Sequence, residues 1–520
     1  MMGKMKKKLC TLFIILTLLA FLALIDISCE RVASEPIIIP QPSYWPTQGW
    51  EEATPEFQGF SSQKLAEALN AIKKKDMDIH SLMIVRNGSV ILDAYFYPYD
   101  GSIYHDVASV TKSVMTTLIG IAADQGKLSL DDPILSFFPD RTIANKDSNK
   151  ERITVRHLVS NSSGFKFDEK DDAATISAMT ESDDWIQHVL DLPVIHKPGT
   201  HFAYFSPGMH LLSAILQQAT GMTALEFADA NLFKPLGINK VYWPSNSQGY
   251  TIGYGDLCLF PADMAKIGFL FLHQGKWEDK QIVSSDWVNE ATRKHFSTGL
   301  DYEDDYGYGW WISSSNTKFP YYRAYGRKEQ TIMVIPSINT LIVTTGAEFD
   351  IDKIIKYVFS SIEDLEKPLV PDHSSIENLN NAANEIVKHP EPLEVALLPE
   401  IAGKISGKTY IFEHNTLTIE SLVVNFVNVK EAVFDLKIKS EPLPRNIVVG
   451  LDSLWKPSVS GKAAVSRGYW EDENNFIWEY SEGPGLNDYI FKLYFENNKV
   501  SFEVLEPASA KGLIIEGKSN

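Results

Sequence analysis

A tight turn between two β-rich runs fixes the start of the first folded unit. Residues 81–85 and 89–92 are both rich in branched apolar side chains, and Asn87-Gly88 lies between them. Asparagine and glycine both accept the positive φ that a two-residue hairpin turn requires, so this dipeptide is the strongest short-range hairpin signal in a sequence. We therefore expect two antiparallel strands here, on which the following segments must pack.

The order of elements after the hairpin predicts a mixed domain. Helices are expected over residues 109–125, 209–220 and 262–274, a strand-rich block begins at Tyr306, and a last helix begins at Asp350. Hairpin, helices, strands and terminal helix in this order imply an antiparallel sheet with helices packed on it. The predicted fold class is α/β of the α+β type, without repeated βαβ units.

The chain changes character after a segment punctuated by five prolines, residues 367–400, which we predict to be an interdomain linker. Beyond it, residues 432–438, 489–495 and 500–504 alternate apolar and polar side chains. Short alternating strands joined by tight turns predict a C-terminal all-β domain over residues 401–520, a small sandwich or barrel.

The N-terminus has the layout of a bacterial export signal. Four lysines before residue 9 precede an apolar run over residues 9–25. Because a run of seventeen residues is at the short end of what spans a bilayer, a single membrane anchor is the alternative. We expect export, with the signal over residues 1–29.

Cys29, preceded by a small serine, resembles the acylated cysteine of bacterial lipoproteins. A lipid anchor on Cys29 would hold the exported protein at a membrane, and without it the protein would be periplasmic. Residues 30–50 contain four prolines and are predicted to form an extended tether.

Charge and residue spacing argue against two kinds of site, one for nucleic acid and one for a metal. The chain has 48 basic and 67 acidic residues, a formal net charge of −19, and no basic stripe with interleaved aromatics. Such a surface repels phosphate backbones, so no nucleic-acid partner is expected. His201 and His210 show no metal-ligand spacing and cysteines do not cluster, so neither a metal nor another cofactor is expected.

One hydroxyl in residues 108–117 has a basic partner on its own helix face. Ser109 and Lys112 are three residues apart, so a helix projects them from one side. Serine becomes a nucleophile when a base takes its proton, and lysine can be this base when burial lowers its pKa. The alternative is an ordinary helix N-cap, since Ser-x-x-Lys occurs at four other places in the chain.

The context of this pair resembles a known family. The quoted segments are SVTKSVMTTLIGIAADQGKLSLDDPI, ITVRHLVSNSSG, KPGTHFAYFSPGMHLLSAILQQATG, FKPLGI, YGYGWWI and AYGRKEQTIMVIP. In this order, over about residues 55–365, they resemble the serine β-lactamase and penicillin-binding-protein superfamily, in its class C-like esterase, 6-aminohexanoate-dimer hydrolase and D-aminopeptidase branch. The resemblance implies a β-lactamase-like antiparallel sheet flanked by helices, with an all-helical lobe, over residues 51–366.

The resemblance also implies the other catalytic groups. Tyr204, which follows a Pro-Gly turn, would complete the catalytic set with Ser109 and Lys112. A phenol beside an ammonium has a lowered pKa, so it can take the nucleophile's proton and return it to the leaving group. The alternative is a half-buried tyrosine that anchors its loop.

A strand edge is the third element that the resemblance implies. Ala324-Tyr325-Gly326 corresponds to the family's Lys-Thr-Gly, so Tyr325 and Gly326 would border the substrate. The N–H groups of Ser109 and Arg327 would hold the oxyanion. Ser206 stands where the family's Tyr-x-Asn has its asparagine, and would contact the substrate with a shorter hydroxyl.

Departures from the family pattern bear on the substrate. Ala324 replaces the lysine that binds a β-lactam's carboxylate, and Glu329 replaces a glycine found in many relatives. These changes favour an ester or small amide over penicillin. The residues that could restore a positive charge are Arg323, Arg327 and Lys328.

The sequence therefore predicts a serine hydrolase that cleaves a small ester, amide or peptide through an acyl-enzyme on Ser109. One alternative is a D-alanyl carboxypeptidase or weak β-lactamase acting on cell-wall peptides. The other is a non-catalytic, penicillin-binding-like sensor, suggested by the missing lysine and asparagine.

Overall fold

The computed structural model describes residues 39–299, 304–313, 317–395, 397–439, 444–458, 461–507 and 510–519. The predicted export signal with Cys29, and most of the predicted tether, lie outside the described residues. Across the described ranges, no helix combines the length and the apolar character that a membrane span needs.

Helices are concentrated in the first domain. Those that the structure describes are, in chain order, α1 Ser62–Lys74, α2 Val110–Asp124, α3 Val155–Val159, α4 Asp172–Thr180, α5 Trp185–Asp191, α6 Ser206–Thr220, α7 Ala224–Ala228, α8 Pro261–Leu272, α9 Ser285–Ala291, α10 Ile351–Ser360, α11 His373–Val387 and α12 Glu400–Ile405.

The first domain is built on one large sheet. Its strands are β1 Glu51–Glu52, β2 Ile79–Arg86, β3 Ser89–Tyr95, β4 His105–Asp106, β5 Cys258–Leu259, β6 Lys276–Trp277, β7 Lys280–Gln281, β8 Phe296–Ser297, β9 Asp305–Tyr306, β10 Trp311–Ile312, β11 Tyr322–Gly326, β12 Gln330–Ile335 and β13 Thr340–Gly346. The sheet order is β1-β3-β2-β13-β12-β11-β10-β9-β8, antiparallel except for the β1–β3 pair. The short pairs β4–β5 and β6–β7 lie outside it.

The predicted hairpin begins this sheet. Asn87 and Gly88 have φ of 50° and 86°, and β2 and β3 pair on either side of them. Every residue of β2 is buried because helices cover both faces of the sheet. Apolar side chains of α1, α10 and α11 form one core with the sheet, and α8 lies on the other face, where its Gly268 packs against Ile332.

The C-terminal domain is a closed barrel, which decides between the two predicted all-β forms. Its strands are β14 Thr409–Phe412, β15 Ile419–Phe426, β16 Glu431–Ile438, β17 Arg445–Gly450, β18 Lys456–Ser458, β19 Ala464–Trp470, β20 Asn475–Glu482, β21 Asn487–Glu496, β22 Lys499–Glu506 and β23 Ile514–Lys518. Pairing runs β17-β16-β15-β14-β23-β22-β21-β20-β19, and a parallel contact of Gly450 with Arg467 closes this ring. Apolar side chains from the ring's strands fill its interior, so the ring buries its own core.

Two predicted connecting segments are more ordered than expected. Residues 367–400 contain helix α11, whose Leu379, Ala382 and Ile386 are buried in the core shared with α1. Their spacing of three and four residues is that of an amphipathic helix, which the surrounding prolines obscured. In the predicted tether, the rings of Trp45 and Trp50 pack 5.6 and 5.4 Å from Phe269, so this part lies on the domain.

Candidate active site

Ser109 immediately precedes helix α2, and its hydroxyl does not cap that helix. The residue occupies the N-cap position with φ −72° and ψ −5°, and no N–H of α2 donates to its side chain. Ala108 before it has a positive φ of 47°, and the Ala108 N–H donates to Asp106 at 2.8 Å. The geometry therefore does not support the N-cap reading of Ser109, and it leaves the hydroxyl available to Lys112.

Lys112 reaches back along the helix to Ser109. Its Nζ lies 2.9 Å from Ser109 Oγ and 3.0 Å from the Tyr254 carbonyl oxygen. Burial lowers the pKa of Lys112 to about 8, while the Asp172 carboxylate acts in the opposite direction. A lysine with this pKa supplies a fraction of neutral amine near neutral pH, which is what a base for the serine proton needs.

Tyr204 lies beside the lysine, on the loop that leads into α6. Lys112 Nζ is 4.8 Å from the centre of the Tyr204 ring, and that ring packs 5.6 Å from the ring of Trp311. Two hydrogen bonds to Asn161 fix the loop. The Asn161 carbonyl oxygen accepts from the Ala203 N–H at 2.9 Å, and its side-chain oxygen accepts from the Phe205 N–H at 3.1 Å. The structure thus brings together the three residues predicted to be catalytic.

Ser206, predicted to contact the substrate, lines the pocket around Ser109 and has a partner within the protein. It is fully buried, and its hydroxyl donates to Asp172 Oδ2 at 2.7 Å. The Asp172 carboxylate therefore occupies the hydroxyl that was expected to contact the substrate. Asp172 and Ser206 both line the pocket around Ser109. Of the two, the Asp172 carboxylate is the stronger hydrogen-bond acceptor for a group bound in the pocket.

The β11 edge approaches Ser109 through Gly326. A Cβ built on Gly326 would lie 2.5 Å from the Val107 carbonyl oxygen and 2.9 Å from Ser109 N, so only glycine allows this approach. Tyr325, predicted to border the substrate, lies on the other face of the strand, because side chains alternate. Its phenol donates to Glu329 Oε1 at 2.8 Å, and it is not among the residues that line the pocket.

The turn after β11 carries two side chains in a backbone conformation that favours glycine. Lys328 and Glu329 have φ of 60° and 63°. Burial raises the pKa of Glu329, and its carboxylate is taken up by Tyr325 rather than by the pocket. Arg323 is paired with Asp304 at 2.8 Å, which leaves Arg327 as the nominated cation that lines the pocket.

The pocket holds about 510 Å³, a volume typical of small-molecule sites. Its lining includes residues that sequence reasoning missed: Asp106, Asp172, Ala173, Ile176, Tyr254, Asp256 and Leu486. Asp172 belongs to an acidic run that resembles a solvated surface, and Leu486 belongs to the other domain. No local pattern in the sequence marks either residue.

A cluster of metal-ligand residue types also forms among the described residues, although none was expected from spacing. Glu169, His196 and His201 bring their ligand atoms within 4.8 Å of one another. His201 Nε2 lies 3.0 Å from the Glu169 carboxylate, and the two imidazole rings are 4.2 Å apart. The histidine–carboxylate contact accounts for this grouping, which lies partly exposed on the surface.

Comparison with known proteins gives low overall identity. Protein flp of Staphylococcus aureus strain MRSA252 is 25% identical over 185 residues, which are 34% of this chain and 37% of that protein. The match therefore spans little more than a third of that relative. Among solved structures, EstCE1, a hydrolase with promiscuous acyltransferase activity, is 15% identical with a TM-score of 0.50, covering 58% of this chain and 99% of its own. An octameric penicillin-binding protein homologue from Pyrococcus abyssi is 18% identical with a TM-score of 0.45. The match covers 87% of this chain and 99% of the homologue.

The family comparison covers the region that holds the site. The family model described as Beta-lactamase matches residues 69–347, more than half of the chain. That span contains Ser109, Lys112, Tyr204 and the β11 edge, and it ends before the barrel. The chain therefore belongs to the β-lactamase and penicillin-binding-protein-like family of serine hydrolases.

Proposed function

We propose that the protein hydrolyses an ester or a small amide through an acyl-enzyme on Ser109. The observation that carries this proposal is the 2.9 Å contact between Lys112 Nζ and Ser109 Oγ in a buried setting that lowers the lysine's pKa to about 8. A nucleophile and a base of suitable pKa within hydrogen-bond reach are the two requirements of nucleophilic catalysis.

These positions support the following reaction. Neutral Lys112 takes the Ser109 proton while Oγ forms a bond to the substrate carbonyl carbon. The N–H groups of Ser109 and Arg327 stabilise the oxyanion, each by roughly 3–4 kcal/mol in the transition state. Collapse expels the alcohol or amine, which leaves with a proton relayed by Lys112 and Tyr204. Water then attacks the acyl carbon and gives a proton to the same groups. The bond to Ser109 Oγ breaks, Oγ takes this proton back, and the acid is released.

The lining favours a substrate without a carboxylate beside the scissile bond. Ala324 is fully buried at the position where relatives that bind β-lactams carry lysine. The Asp172 carboxylate faces the pocket beside Ser206 and would repel a second carboxylate there. An uncharged ester or small amide meets neither obstacle.

A chromogenic ester assay tests the proposal. We expect turnover of p-nitrophenyl acetate or butyrate by the native chain and its loss in Ser109→Ala. Intact-mass spectrometry should show a transient acyl adduct on Ser109. Turnover that survives in Ser109→Ala, with no adduct on the native chain, would contradict the proposal.

A second candidate is a D-alanyl carboxypeptidase or weak β-lactamase activity, which Arg327 favours because its exposed cation lines the pocket and could bind a carboxylate. Fluorescent penicillin should then label Ser109, and Arg327→Ala should reduce this labelling. No labelling at millimolar penicillin would exclude it. Phosphonylation of Ser109 by a fluorophosphonate, with loss of fluoride but without turnover of any ester, would instead favour a sensor.

A further inference from the structure

The barrel contributes directly to the pocket around Ser109. The turn between β20 and β21 carries Leu486, which is 3% exposed and lines that pocket. The turn fits closely on the first domain, since a Cβ built on Gly485 would lie 2.4 Å from His80 Cε1 and one on Gly483 would lie 2.9 Å from Asp106 Cβ. Barrel and catalytic domain thus pack without a gap at this place.

Lys462, just before β19, joins the barrel to two loops of the site. Its Nζ lies 2.8 Å from Asp106 Oδ2 and 2.8 Å from Asp256 Oδ1, and its side chain is 9% exposed. Burial alone would lower the pKa of Lys462, but the carboxylates around it raise the pKa well above the usual value, so the ammonium keeps its charge. Charges this deeply buried are stable when paired, and removing one partner leaves the others uncompensated.

The two loops held by Lys462 are those that position the Ser109–Lys112 pair. Asp106 accepts the N–H of Ala108, the residue before Ser109. Asp256 lies two residues after Tyr254, whose carbonyl accepts from Lys112 at 3.0 Å. One ammonium of the barrel therefore ties together the turn that carries the nucleophile and the loop that orients the base.

The turn after β11 makes further contacts with the barrel. Arg327, predicted to supply an oxyanion N–H, donates through its guanidinium to Asn487 at 3.3 Å. Lys328 next to it donates to the Gly485 carbonyl oxygen. The barrel consequently contacts three segments of the site. These are the turn that carries Ser109, the loop that contains Tyr254 and Asp256, and the turn after β11 that carries Arg327.

We propose that the barrel is a permanent wall of the active site, in which Lys462 is a positioning residue for Ser109 and Lys112, and Leu486 closes a subsite for a compact aliphatic group. The apolar side chains that share the pocket with Leu486 are those of Ala108 and, on α4, Ala173 and Ile176. This inference rests on the proposed function and adds to it the chemical class of the group that the pocket accepts.

The role of Lys462 can be tested on the full chain by the rate at which a fluorophosphonate labels Ser109, which needs no knowledge of the substrate. Lys462→Met should slow labelling about 10-fold or more, since small displacements of a nucleophile cost up to 10²-fold. Lys462→Arg should restore the rate because it keeps the charge. Lys492→Met is the matched control, a barrel lysine paired with Glu471 away from the pocket, and should label like the native chain.

The subsite is tested by the ratio of kcat/KM for p-nitrophenyl octanoate to that for the acetate, which does not depend on the folded fraction. Leu486→Ala should raise this ratio about 10-fold, because pocket methylenes are worth one to two orders of magnitude in discrimination. Leu436→Ala, a buried leucine of the barrel core, should leave it unchanged.

The outcomes separate the two proposals. A native chain that the fluorophosphonate does not label on Ser109 overturns the proposed function and the inference with it. A native chain that is labelled, together with Lys462→Met labelled equally fast or Leu486→Ala with an unchanged ratio, overturns the inference alone.

Discussion

Two buried lysines reach the same site from two domains, and their surroundings give them opposite properties. Lys112, in helix α2, contacts a hydroxyl and a carbonyl, and burial lowers its pKa to about 8. Lys462, in the barrel, contacts two carboxylates, which raise its pKa despite its burial. The number of charged partners, rather than burial alone, decides whether a buried lysine becomes a base or a fixed cation.

Arginine substitutions should separate the two lysines most strongly. Lys112→Arg should lower kcat/KM for a p-nitrophenyl ester by about 10³-fold, since a guanidinium stays protonated and cannot take the Ser109 proton. Lys462→Arg should keep activity within a few-fold because a guanidinium keeps the charge and has donors for both Asp106 and Asp256. Equal losses in the two variants would break the comparison.

A steric change at the β11 edge beside Ser109 should have the next largest effect. Gly326→Ala would place a methyl group 2.9 Å from Ser109 N, so the turn that carries Ser109 would have to shift. We expect kcat/KM to fall by about 10²-fold, the usual cost of a small misplacement. Gly403→Ala, in α12, is the control, since a Cβ there meets nothing within 4 Å. It should leave activity unchanged and raise stability by about 0.5–1 kcal/mol. Full activity of Gly326→Ala would show that the turn is not held rigidly.

Local patterns in the sequence were sufficient to predict much of the fold. The Asn87-Gly88 turn and the three-residue spacing of Ser109 and Lys112 depend on neighbours along the chain, so the hairpin and the shared helix face could be predicted. The resemblance to the family supplied the sheet and the positions of Tyr204 and Gly326, and the family and the fold are both confirmed.

The interdomain part of the site could not be predicted in the same way. Lys462 meets Asp106 and Asp256 across more than 200 residues of chain, and each would be typical of a solvated surface in its own segment. Ser206 was expected to contact the substrate because it stands where the family's Tyr-x-Asn has its asparagine, and nothing in its own segment indicates that Asp172 reaches it from another helix. Such contacts depend on how helices and domains pack, which spacing along one segment does not record.

The smallest effect should come from Asp172, whose carboxylate raises the pKa of Lys112 against the larger effect of burial. Lys112 is faced by the Ser109 hydroxyl, the Tyr254 carbonyl, the Tyr204 ring and the Asp172 carboxylate. In the native chain, kcat/KM should rise with pH as Lys112 loses its proton, with the midpoint of the rise near pH 8 and a plateau above it.

Asp172→Asn removes a negative charge that favours the protonated form of Lys112, so the pKa of Lys112 should fall. The rising limb of the plot of kcat/KM against pH should then move to lower pH, by less than about one unit. The amide can still accept the Ser206 hydroxyl, which keeps the local structure. Asp183→Asn, at an exposed aspartate, should leave the limb in place. A limb that stays fixed or moves to higher pH in Asp172→Asn would show that the base is not Lys112, and the contrast between the two lysines would then describe stability rather than catalysis.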